Sequence, residues 1–436
     1  MKLVELEVTE LHGLFHHTIR WRVEGDLCVL IGPNGVGKST ILHLLDALAR
    51  CQFETVRRIR FDQLTIEVED GRTLEIVQTP RTETPELGVD LQFALRTATG
   101  RVVDRVRIEA PLPEAYGLKA SDVGSAVPHL RAARDMVWFD SDLQIVLSLG
   151  QVLERYESRL STTSPVVLLP SEADWLVEFC KSLRVHLVDA QRVLGARAED
   201  RELGAMTCAA SLAKEIDGAR TAASALSEAL ARSFPFRLVQ REPATADSNE
   251  VLLARIARHN DVKAALAAVG LEDLDDRLDF DFDFVDLGNR NALTLFLDDQ
   301  DARFKALEGV ALLLREFLAM LRGAFDWKEV RLDRAEGLQV RSIAGDDLHL
   351  ADLSSGEQHQ IVLTYQVVFG APEGGLLLID EPELSMHVSW QLEFLARVAE
   401  VAAVRGLQCL VATHSPSIVH NMWSLTEELT GPEIVE

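Results

Sequence analysis

The sequence has few cysteines, and no two of them form a CxxC pair. The five are spread along 436 residues, at Cys28, Cys51, Cys180, Cys208 and Cys409. This spacing gives neither a zinc pattern nor a disulfide framework, and it fits a reducing compartment. No apolar run approaches the roughly 18 residues of a membrane span, and the N-terminus MKLVELEVTEL lacks a charged leader with an apolar core. The sequence therefore predicts a soluble, cytoplasmic protein without a membrane partner.

Basic residues are also scarce. Lys and Arg number 44 against 69 Asp and Glu, a formal net charge of −25. Such a field repels nucleic-acid phosphates, so it excludes a surface that binds nucleic acid everywhere but leaves room for a local basic groove. Residues 272–301 hold eleven Asp or Glu against two Arg and so supply 9 of the excess negative charges. In this stretch, the alternation of polar and apolar residues places Asp279, Asp281 and Asp283 on one face of a predicted strand. That face could be a metal site, but because no set of ligands lies nearby, a solvated acidic face is the simpler interpretation.

The length and the changing periodicity predict two or three structural units in an α/β protein. Residues 62–110 alternate between polar and apolar, with turn residues such as Asp70-Gly71, which predicts an antiparallel layer. Residues 113–325 are mostly helical by composition, apart from a short strand near 184–192 that we expect to return to the unit formed by the two flanking segments. Strand-like runs resume from 326. The predicted divisions are therefore 1–112, a mainly helical insertion over 113–325, and 326–436.

A phosphate-binding motif follows the first buried strand, LCVLI. The motif G-x-x-x-x-G-K-[ST] and the residue after it are matched by Gly32, Pro33, Asn34, Gly35, Val36, Gly37, Lys38, Ser39 and Thr40. Its glycines let the loop turn N–H groups toward phosphates at the positive end of a helix. Lys38 is expected to meet the β and γ phosphates of ATP, and Ser39 to ligate Mg²⁺. A chance match is the alternative, but the strand before the motif and the helix after it are what the mechanism requires.

Two further buried strands end in polar residues. GLLLIDEPE places Asp380 and Glu381 at a strand's carboxyl end, where open α/β sheets bind ligands. Asp380 is the candidate Mg²⁺ ligand and Glu381 the candidate general base. LQCLVATHS ends in His414, which we expect to sense the γ-phosphate, although a lone histidine is commonly structural.

The segment LSSGEQHQ, residues 353–360, is a second Ser-Gly turn at a helix start, in a run expected to stay helical to Gly370. Such a turn is another anion cradle. Because one nucleotide already has the Lys38 loop, we expect Ser354, Ser355 and Gly356 to serve the ATP of another subunit.

These four segments resemble the Walker A, signature, Walker B and switch-histidine motifs of ABC-type ATPase heads. The resemblance implies a P-loop ABC-type head that hydrolyses ATP with Mg²⁺ and dimerises on ATP or assembles further. It also implies that Ser354, Ser355, Gly356 and Glu357 act in trans. Ser355 stands where glycine is usual, and Glu357 where many transporters have glutamine, so the chain looks closest to the SMC and RecF branch.

Within that branch, LIDEPELSMHVSWQ, THSPSIVHNMWSLT and VHLVDAQR look most like stand-alone ATPase subunits of Septu-type and retron-linked anti-phage systems. This implies a separate effector, a nuclease, and makes Gln191 a candidate metal contact. The chain ends 22 residues after His414, so we expect no nuclease domain within it. A RecF/SMC-like DNA-maintenance ATPase and a transporter ATPase subunit remain the alternatives.

Overall fold

The structure is a computed structural model of the 436-residue chain. It describes residues 1–21, 26–80, 89–109, 129–134, 137–141, 145–148, 170–190, 198–242, 246–273, 287–322, 327–386 and 388–431, with the single residues 123, 127, 152, 278 and 325. Four residues singled out by the sequence, Gln191, Asp279, Asp281 and Asp283, lie outside this described part.

The described residues form strands and helices in the following order. The strands are β1 (Leu3–Leu11), β2 (Phe15–Arg20), β3 (Leu27–Ile31), β4 (Gln63–Val68), β5 (Thr73–Pro80), β6 (Val89–Arg96), β7 (Val102–Ile108), β8 (Leu130–Arg134), β9 (Val137–Asp140), β10 (Ile145–Ser148), β11 (Val185–Asp189), β12 (Lys328–Asp333), β13 (Gly337–Ser342), β14 (Asp347–Leu348), β15 (Leu376–Asp380), β16 (Gln408–Ala412) and β17 (Thr426–Glu428). The helices are α1 (Lys38–Ala49), α2 (Phe53–Arg58), α3 (Asp174–Ser182), α4 (Ala198–Gln240), α5 (Asn249–Ala267), α6 (Leu287–Arg322), α7 (Ser355–Tyr365), α8 (Val388–Arg405) and α9 (Pro416–Val419). In this described part, no helix combines the length and apolarity needed to cross a membrane.

A parallel sheet positions the candidate site. Its strand order is β11-β15-β16-β3-β17, with every neighbouring pair parallel. Strands β15 and β16 are buried at every position, as expected for strands covered on both faces. Because parallel strands end at the same edge, the loops after β3, β15 and β16 meet there. These are the loops that carry Lys38, Glu381 and His414.

Successive residues along each strand of this sheet point to opposite faces, and each face packs into a different hydrophobic core. On one face Cys28, Leu30 and Leu378 pack with α1, α3 and the antiparallel sheet of order β2-β1-β4-β5-β6-β7. On the other face Val29 and Ile379 pack with α4, α6, α7 and α8. The predicted antiparallel layer is confirmed, and the parallel sheet lies between it and the helices.

The long helices of the insertion pack against each other, and α6 does so through an apolar stripe. Helices α4 and α6 lie against each other, and α6 buries Phe304, Leu307, Leu314, Leu318 and Leu321. These positions are spaced three, seven, four and three residues apart, so they form one stripe facing the core. The strand β11 also comes from the predicted insertion, and it pairs in register with β15.

All five described carboxylates in the acidic stretch 272–301 pair with arginines of the same chain. Asp299 accepts two hydrogen bonds from Arg237, at 2.6 and 2.7 Å, and Asp301 accepts one from Arg255 at 2.5 Å. The other pairs are Glu272 with Arg303, Asp273 with Arg220, and Asp298 with Arg241 and Arg255. In the described part, the carboxylates of this stretch therefore neutralise the arginines that lie next to them.

One segment differs from the expected helix. Residues 130–148 include the antiparallel strands β8, β9 and β10, in a stretch whose Ala, Leu and Arg content favours helix. The runs VWFD and IVLS are rich in β-branched and aromatic residues. Trp138 and Leu147 are 1% and 3% exposed, so burial of these side chains outweighs the helical composition around them.

Candidate nucleotide site

The loop between β3 and α1 is shaped by its glycines. Gly32, Gly35 and Gly37 have φ angles of 150°, 80° and 101°, values that favour glycine. A Cβ on Gly37 would lie 2.6 Å from Leu11 Cδ2, so a larger residue there would collide with β1. No side chain caps the start of α1, and its first turn has no acidic residue. The N–H groups and the positive end of the helix dipole are therefore available to an anion.

The ammonium group of Lys38 is folded back onto this loop. Its Nζ donates to the carbonyl oxygens of Gly32 and Pro33 at 2.8 and 3.0 Å, and to His414 Nδ1 at 3.3 Å. Burial lowers the pKa of Lys38, and the neighbouring carboxylates Glu381 and Asp380 oppose that shift. The ammonium is thus held at the loop by bonds that phosphate oxygens could replace.

Ser39 and Asp380 meet although 341 residues separate them in the chain. Ser39 Oγ donates to Asp380 Oδ1 at 2.9 Å. Burial raises the pKa of Asp380 to about 6, the bond from Ser39 opposes the rise, and the nearby Glu381, Asp189 and Glu383 add to it. A buried carboxylate and a neighbouring hydroxyl together form the pair of oxygen donors that Mg²⁺ uses with phosphates.

The donor set fits Mg²⁺ held partly by substrate. In the described part of the chain, no group of three or more His, Cys, Asp or Glu is arranged to hold a metal. Mg²⁺ commonly takes only one or two protein ligands besides phosphates and waters. Ser39 and Asp380 are the residues present to hold it.

Asp189 is a neighbour of the site that the sequence did not single out. It ends β11 and lies in register with Asp380 on β15, and its charge helps to raise the pKa of Asp380. The sequence indicated Gln191, two residues further on. Only the pairing of β11 with β15, which is a tertiary contact, brings Asp189 to this edge.

Glu381 and His414 face each other across the end of the sheet. Glu381 has φ of 47°, an uncommon value for a residue with a side chain, and its N–H donates to Ala412 O at 2.9 Å. This bend turns the chain out of β15 directly after Asp380. His414 Nε2 lies 3.7 Å from Glu381 Oε1. Since a charged Lys38 can only donate, His414 Nδ1 must accept, which places the proton of a neutral ring on Nε2, toward Glu381.

Two other side chains missed by sequence reasoning hold this arrangement. The His414 N–H donates to Glu383 Oε1 at 2.7 Å, which fixes the loop after β16. His12 Nε2 lies 3.1 Å from Thr40 Oγ1 and lines the cleft beside Lys38. Single polar residues of this kind have no sequence signal, because they act only through a contact distant in the chain.

The cleft at this edge has a volume of about 260 Å³. Its described lining includes Asn34, Gly35, Lys38, Glu381 and His414. Val36 is buried beneath it, and its carbonyl oxygen lies 2.8 Å from His17 Nε2. The predicted Walker A and Walker B residues therefore meet at one cleft.

The signature segment does not line that cleft. Ser354, Ser355 and Gly356 are exposed, and none of them is among the described lining residues. Ser354 caps α7: its Oγ accepts from the Glu357 N–H at 3.4 Å, while Glu357 Oε2 accepts from the Ser354 N–H at 2.8 Å. Helix α7 ends at Tyr365 and is followed directly by a π-helical turn over Gln366–Gly370, so the run stays helical to Gly370 as expected.

Lys328, at the start of β12, neutralises the acid in the signature. Its Nζ lies 2.5 Å from Glu357 Oε1. Burial of Glu357 raises its pKa, but the bonds from Lys328 and Ser354 outweigh burial, so the net shift is downward. Glu357 is therefore charged, paired and unable to add a free negative charge beside an anion.

Comparison with known proteins gives a partial family match. Residues 267–420 match the family described as "AAA domain, putative AbiEii toxin, Type IV TA system", a segment that holds the signature, Asp380 and His414. A comparison with curated proteins finds no match.

Solved structures with similarity along the chain include SMC heads. The Smc head domain of Pyrococcus furiosus bound to the C-terminal domain of ScpA is 12% identical, with 96% of this chain and 90% of that chain covered and a TM-score of 0.32. The SMC head domain of Thermotoga maritima is 11% identical, with coverages of 96% and 91% and a TM-score of 0.30.

The fold prediction is confirmed. A parallel sheet carries a strand, glycine loop and helix at one edge, an antiparallel layer covers one face, and long helices cover the other. The fold is that of a P-loop ATPase.

Proposed function

We propose that this chain is a Mg²⁺-dependent ATPase that hydrolyses ATP at the Lys38 cleft. The observation that carries the proposal is the convergence of Lys38, Ser39, Asp380, Glu381 and His414 at one sheet edge. Each supplies a group that phosphoryl transfer to water needs: a cation for the phosphates, oxygen ligands for the metal, a base, and a polar contact for the γ-phosphate.

Each residue of the site has a role that follows from its position. The loop N–H groups and Lys38 bind and orient the phosphates, while Ser39 and Asp380 would hold Mg²⁺, which neutralises charge on the transferred group when bound. Glu381 accepts a proton from the attacking water at its carboxylate. His414, held by Glu383 and by Lys38, presents Nε2–H beside that carboxylate.

The variant Glu381→Gln tests the chemistry. It should keep ATP and Mg²⁺ binding but lose turnover by about 10² to 10⁴, the usual contribution of a general base. Steady-state phosphate release and equilibrium binding of a fluorescent ATP analogue measure the two quantities. The exposed Glu373→Gln serves as a control with the same charge change. Wild-type turnover in Glu381→Gln would remove Glu381 from the role.

We further propose that two chains sandwich ATP, with Ser354 and Gly356 of one chain at the Lys38 cleft of the other. Their exposure at the start of α7, away from the described lining of their own cleft, supports this arrangement. Ser354 and Glu357 cap each other at the start of α7, so the N–H groups that it would present to a partner's phosphates are those of Ser355 and Gly356. A twofold, isologous dimer would complete both sites at once.

Mixing two defective chains tests this arrangement. Ser354→Arg should leave nucleotide binding by the monomer intact but abolish ATP-dependent dimerisation and hydrolysis. In a heterodimer with Lys38→Ala, both defects fall in one composite site and the other site is wild type, so hydrolysis should recover in part. An intrachain signature leaves one defect in every site and gives no rescue. Normal dimerisation by Ser354→Arg alone would exclude the trans arrangement.

At the biological level we propose that ATP turnover gates a separate effector, a nuclease, in anti-phage defence. The support is the resemblance of the motif segments to Septu-type and retron-linked ATPase subunits. We propose Asp279, Asp281 and Asp283 as the docking site for a basic effector, since all five described carboxylates of the acidic stretch are already paired with arginines. Reversal of those three charges should abolish co-purification with a nuclease encoded beside this protein, and retained co-purification would refute the docking site.

A second candidate is a RecF/SMC-like ATPase that binds DNA directly. The observation in its favour is a groove of about 720 Å³ between α5 and α6, whose lining includes Arg258, Lys305 and Arg322. This is a local basic surface on an acidic protein. DNA-stimulated hydrolysis by the purified chain, lost in Arg258→Glu/Lys305→Glu, would favour this candidate. Unchanged hydrolysis with DNA present, together with nuclease co-purification, would favour defence.

A further inference from the structure

The groove between α5 and α6 is separate from the nucleotide cleft. Its volume of about 720 Å³ is in the range of small-molecule sites in proteins. Helix α5 lines it from Arg258 to Val269, and α6 lines it from Asp301 to Arg322. The described linings of the groove and of the cleft share no residue. A ligand in the groove would therefore contact the insertion helices and not the phosphate-binding loop.

The floor of the groove is apolar. Its buried members include Leu266, Val269, Phe304 and Leu318. On α6, the lining residues Phe304, Ala311 and Leu318 are seven residues apart, which is about two helical turns, so they follow one line along the groove. Burying apolar surface stabilises a complex by about 25 cal/mol per Å². The floor thus favours a ligand with an apolar body.

A histidine with an unsatisfied ring nitrogen also lines the groove. His259 is 6% exposed, and its Nδ1 has no hydrogen-bond partner among the described residues. Its ring lies against Phe304, with the ring centroids 4.8 Å apart and the planes inclined by 35°. Burial lowers the pKa of His259, so the ring is neutral at pH 7. A buried polar atom without a partner is costly, and a ligand that bonds Nδ1 would remove that cost.

The rim of the groove carries cations that the described part of the chain does not neutralise. Arg258, Lys305 and Arg322 are exposed, and none of them makes an ion pair with a described residue. In a protein with a net charge of −25, three such cations around one groove indicate that it takes an anion. Other arginines of the insertion helices are paired with carboxylates, among them Arg237, Arg255 and Arg303.

Two carboxylates line the groove without cancelling this charge. Asp301 already accepts a hydrogen bond at 2.5 Å from Arg255, which is outside the described lining. Glu308 then remains against the three rim cations and Arg315. The described lining therefore has an excess of positive charge above an apolar floor.

We propose that this groove binds a small organic anion with an aromatic body. The ring of the ligand lies on the floor beside His259 and Phe304, and its carboxylate, sulfonate or phosphate meets the rim cations. Duplex DNA, the other anion proposed for this groove, needs only the rim, because its phosphates lie on its outside. The apolar floor and the unsatisfied His259 nitrogen favour the small anion. The site does not depend on whether the Lys38 cleft hydrolyses ATP.

Binding of 8-anilinonaphthalene-1-sulfonate, an aromatic sulfonate that fluoresces in apolar surroundings, tests the rim in the full chain. Arg258→Glu/Lys305→Glu should weaken binding by about tenfold or more, because two attractive charges become repulsive. Lys214→Glu/Arg232→Glu makes the same change of charge at exposed positions of α4 outside the described lining, and it should bind the probe as the wild type does. Equal losses in the two double variants would assign the effect to net charge and overturn the proposal.

Ala265→Trp tests the floor without changing the charge. Ala265 is exposed and lines the groove, so an indole ring there should fill the groove and abolish binding of the probe. Ala254→Trp, at an exposed position of α5 outside the described lining, is the matched control and should bind normally. Circular dichroism confirms that both variants are folded. Retained binding by folded Ala265→Trp would exclude the groove as the site.

Competition defines the chemistry of the ligand. Naphthalene-1-sulfonate should displace the probe about tenfold better than uncharged 1-naphthol or aliphatic laurate. Equal displacement by 1-naphthol would refute the anionic part of the proposal, and stronger displacement by laurate would refute the aromatic part. Lys38→Ala should bind the probe normally, since a loss there would place the probe in the nucleotide cleft. Failure of the probe to bind, with a DNA duplex bound equally by the wild type and Ala265→Trp, would assign the rim to nucleic acid instead.

Discussion

The variant Asp380→Asn should make the protein more stable when nucleotide and metal are absent. Asp380 is 4% exposed and lies among Glu381, Asp189 and Glu383, and its pKa is raised to about 6. An unfolded aspartate titrates near 3.9. Asparagine keeps the shape and can still accept the bond from Ser39, so the change removes mainly the buried charge.

The magnitude follows from the difference in pKa between the folded and unfolded states. About two units at 1.36 kcal/mol each correspond to about 3 kcal/mol. Because the folded pKa is the higher one, the folded state binds the proton more tightly, and wild-type stability falls as pH rises from about 4 to 6. Asp380→Asn should thus exceed the wild type by about 3 kcal/mol at pH 8 and by about half of that at pH 5.

Urea denaturation in EDTA, followed by tryptophan fluorescence, measures the difference in unfolding free energy between Asp380→Asn and the wild type at both pH values. This difference is called the gap below. Asp189→Asn is an informative second variant, because removing its charge should lower the pKa of Asp380 and narrow the gap. Adding Mg²⁺ and ATP at pH 8 should stabilise the wild type more than Asp380→Asn, since the metal needs the carboxylate. A gap that stays the same from pH 5 to pH 8 would refute the explanation by buried charge.

Three other substitutions give separate expectations. Lys38→Ala should weaken ATP binding itself, because it deletes the charge that meets the phosphates; unchanged affinity in a titration would contradict that role. Gly37→Ala should cost about 1–3 kcal/mol of stability and weaken nucleotide binding more than Gly35→Ala, since both have positive φ but only Gly37 would meet Leu11; equal effects in thermal unfolding would show that the contact is unimportant. Lys328→Met should reduce ATP-dependent dimerisation while ATP binding by the monomer persists, because the unpaired charge of Glu357 would then repel the incoming nucleotide. Light scattering in the presence of ATP measures dimer formation, and normal dimer formation by the variant would contradict this expectation.

The amino-acid sequence by itself determined the parts of the site that are local in the chain. A buried strand, a glycine loop and an amphipathic helix are specified by neighbouring residues, so Lys38 and Ser39 could be assigned from their motif. The same holds for Asp380 and Glu381 at the end of an apolar run. Short-range patterns of this kind carry their own geometry.

Tertiary structure decided which other residues reach the site. Asp189 meets Asp380 only through the register of two parallel strands, and Glu383 holds His414 across 31 residues of chain. Composition predicted helix around Trp138, but packing of that side chain produced a strand there. Contacts between residues far apart in the chain depend on how whole elements pack, which no local pattern encodes.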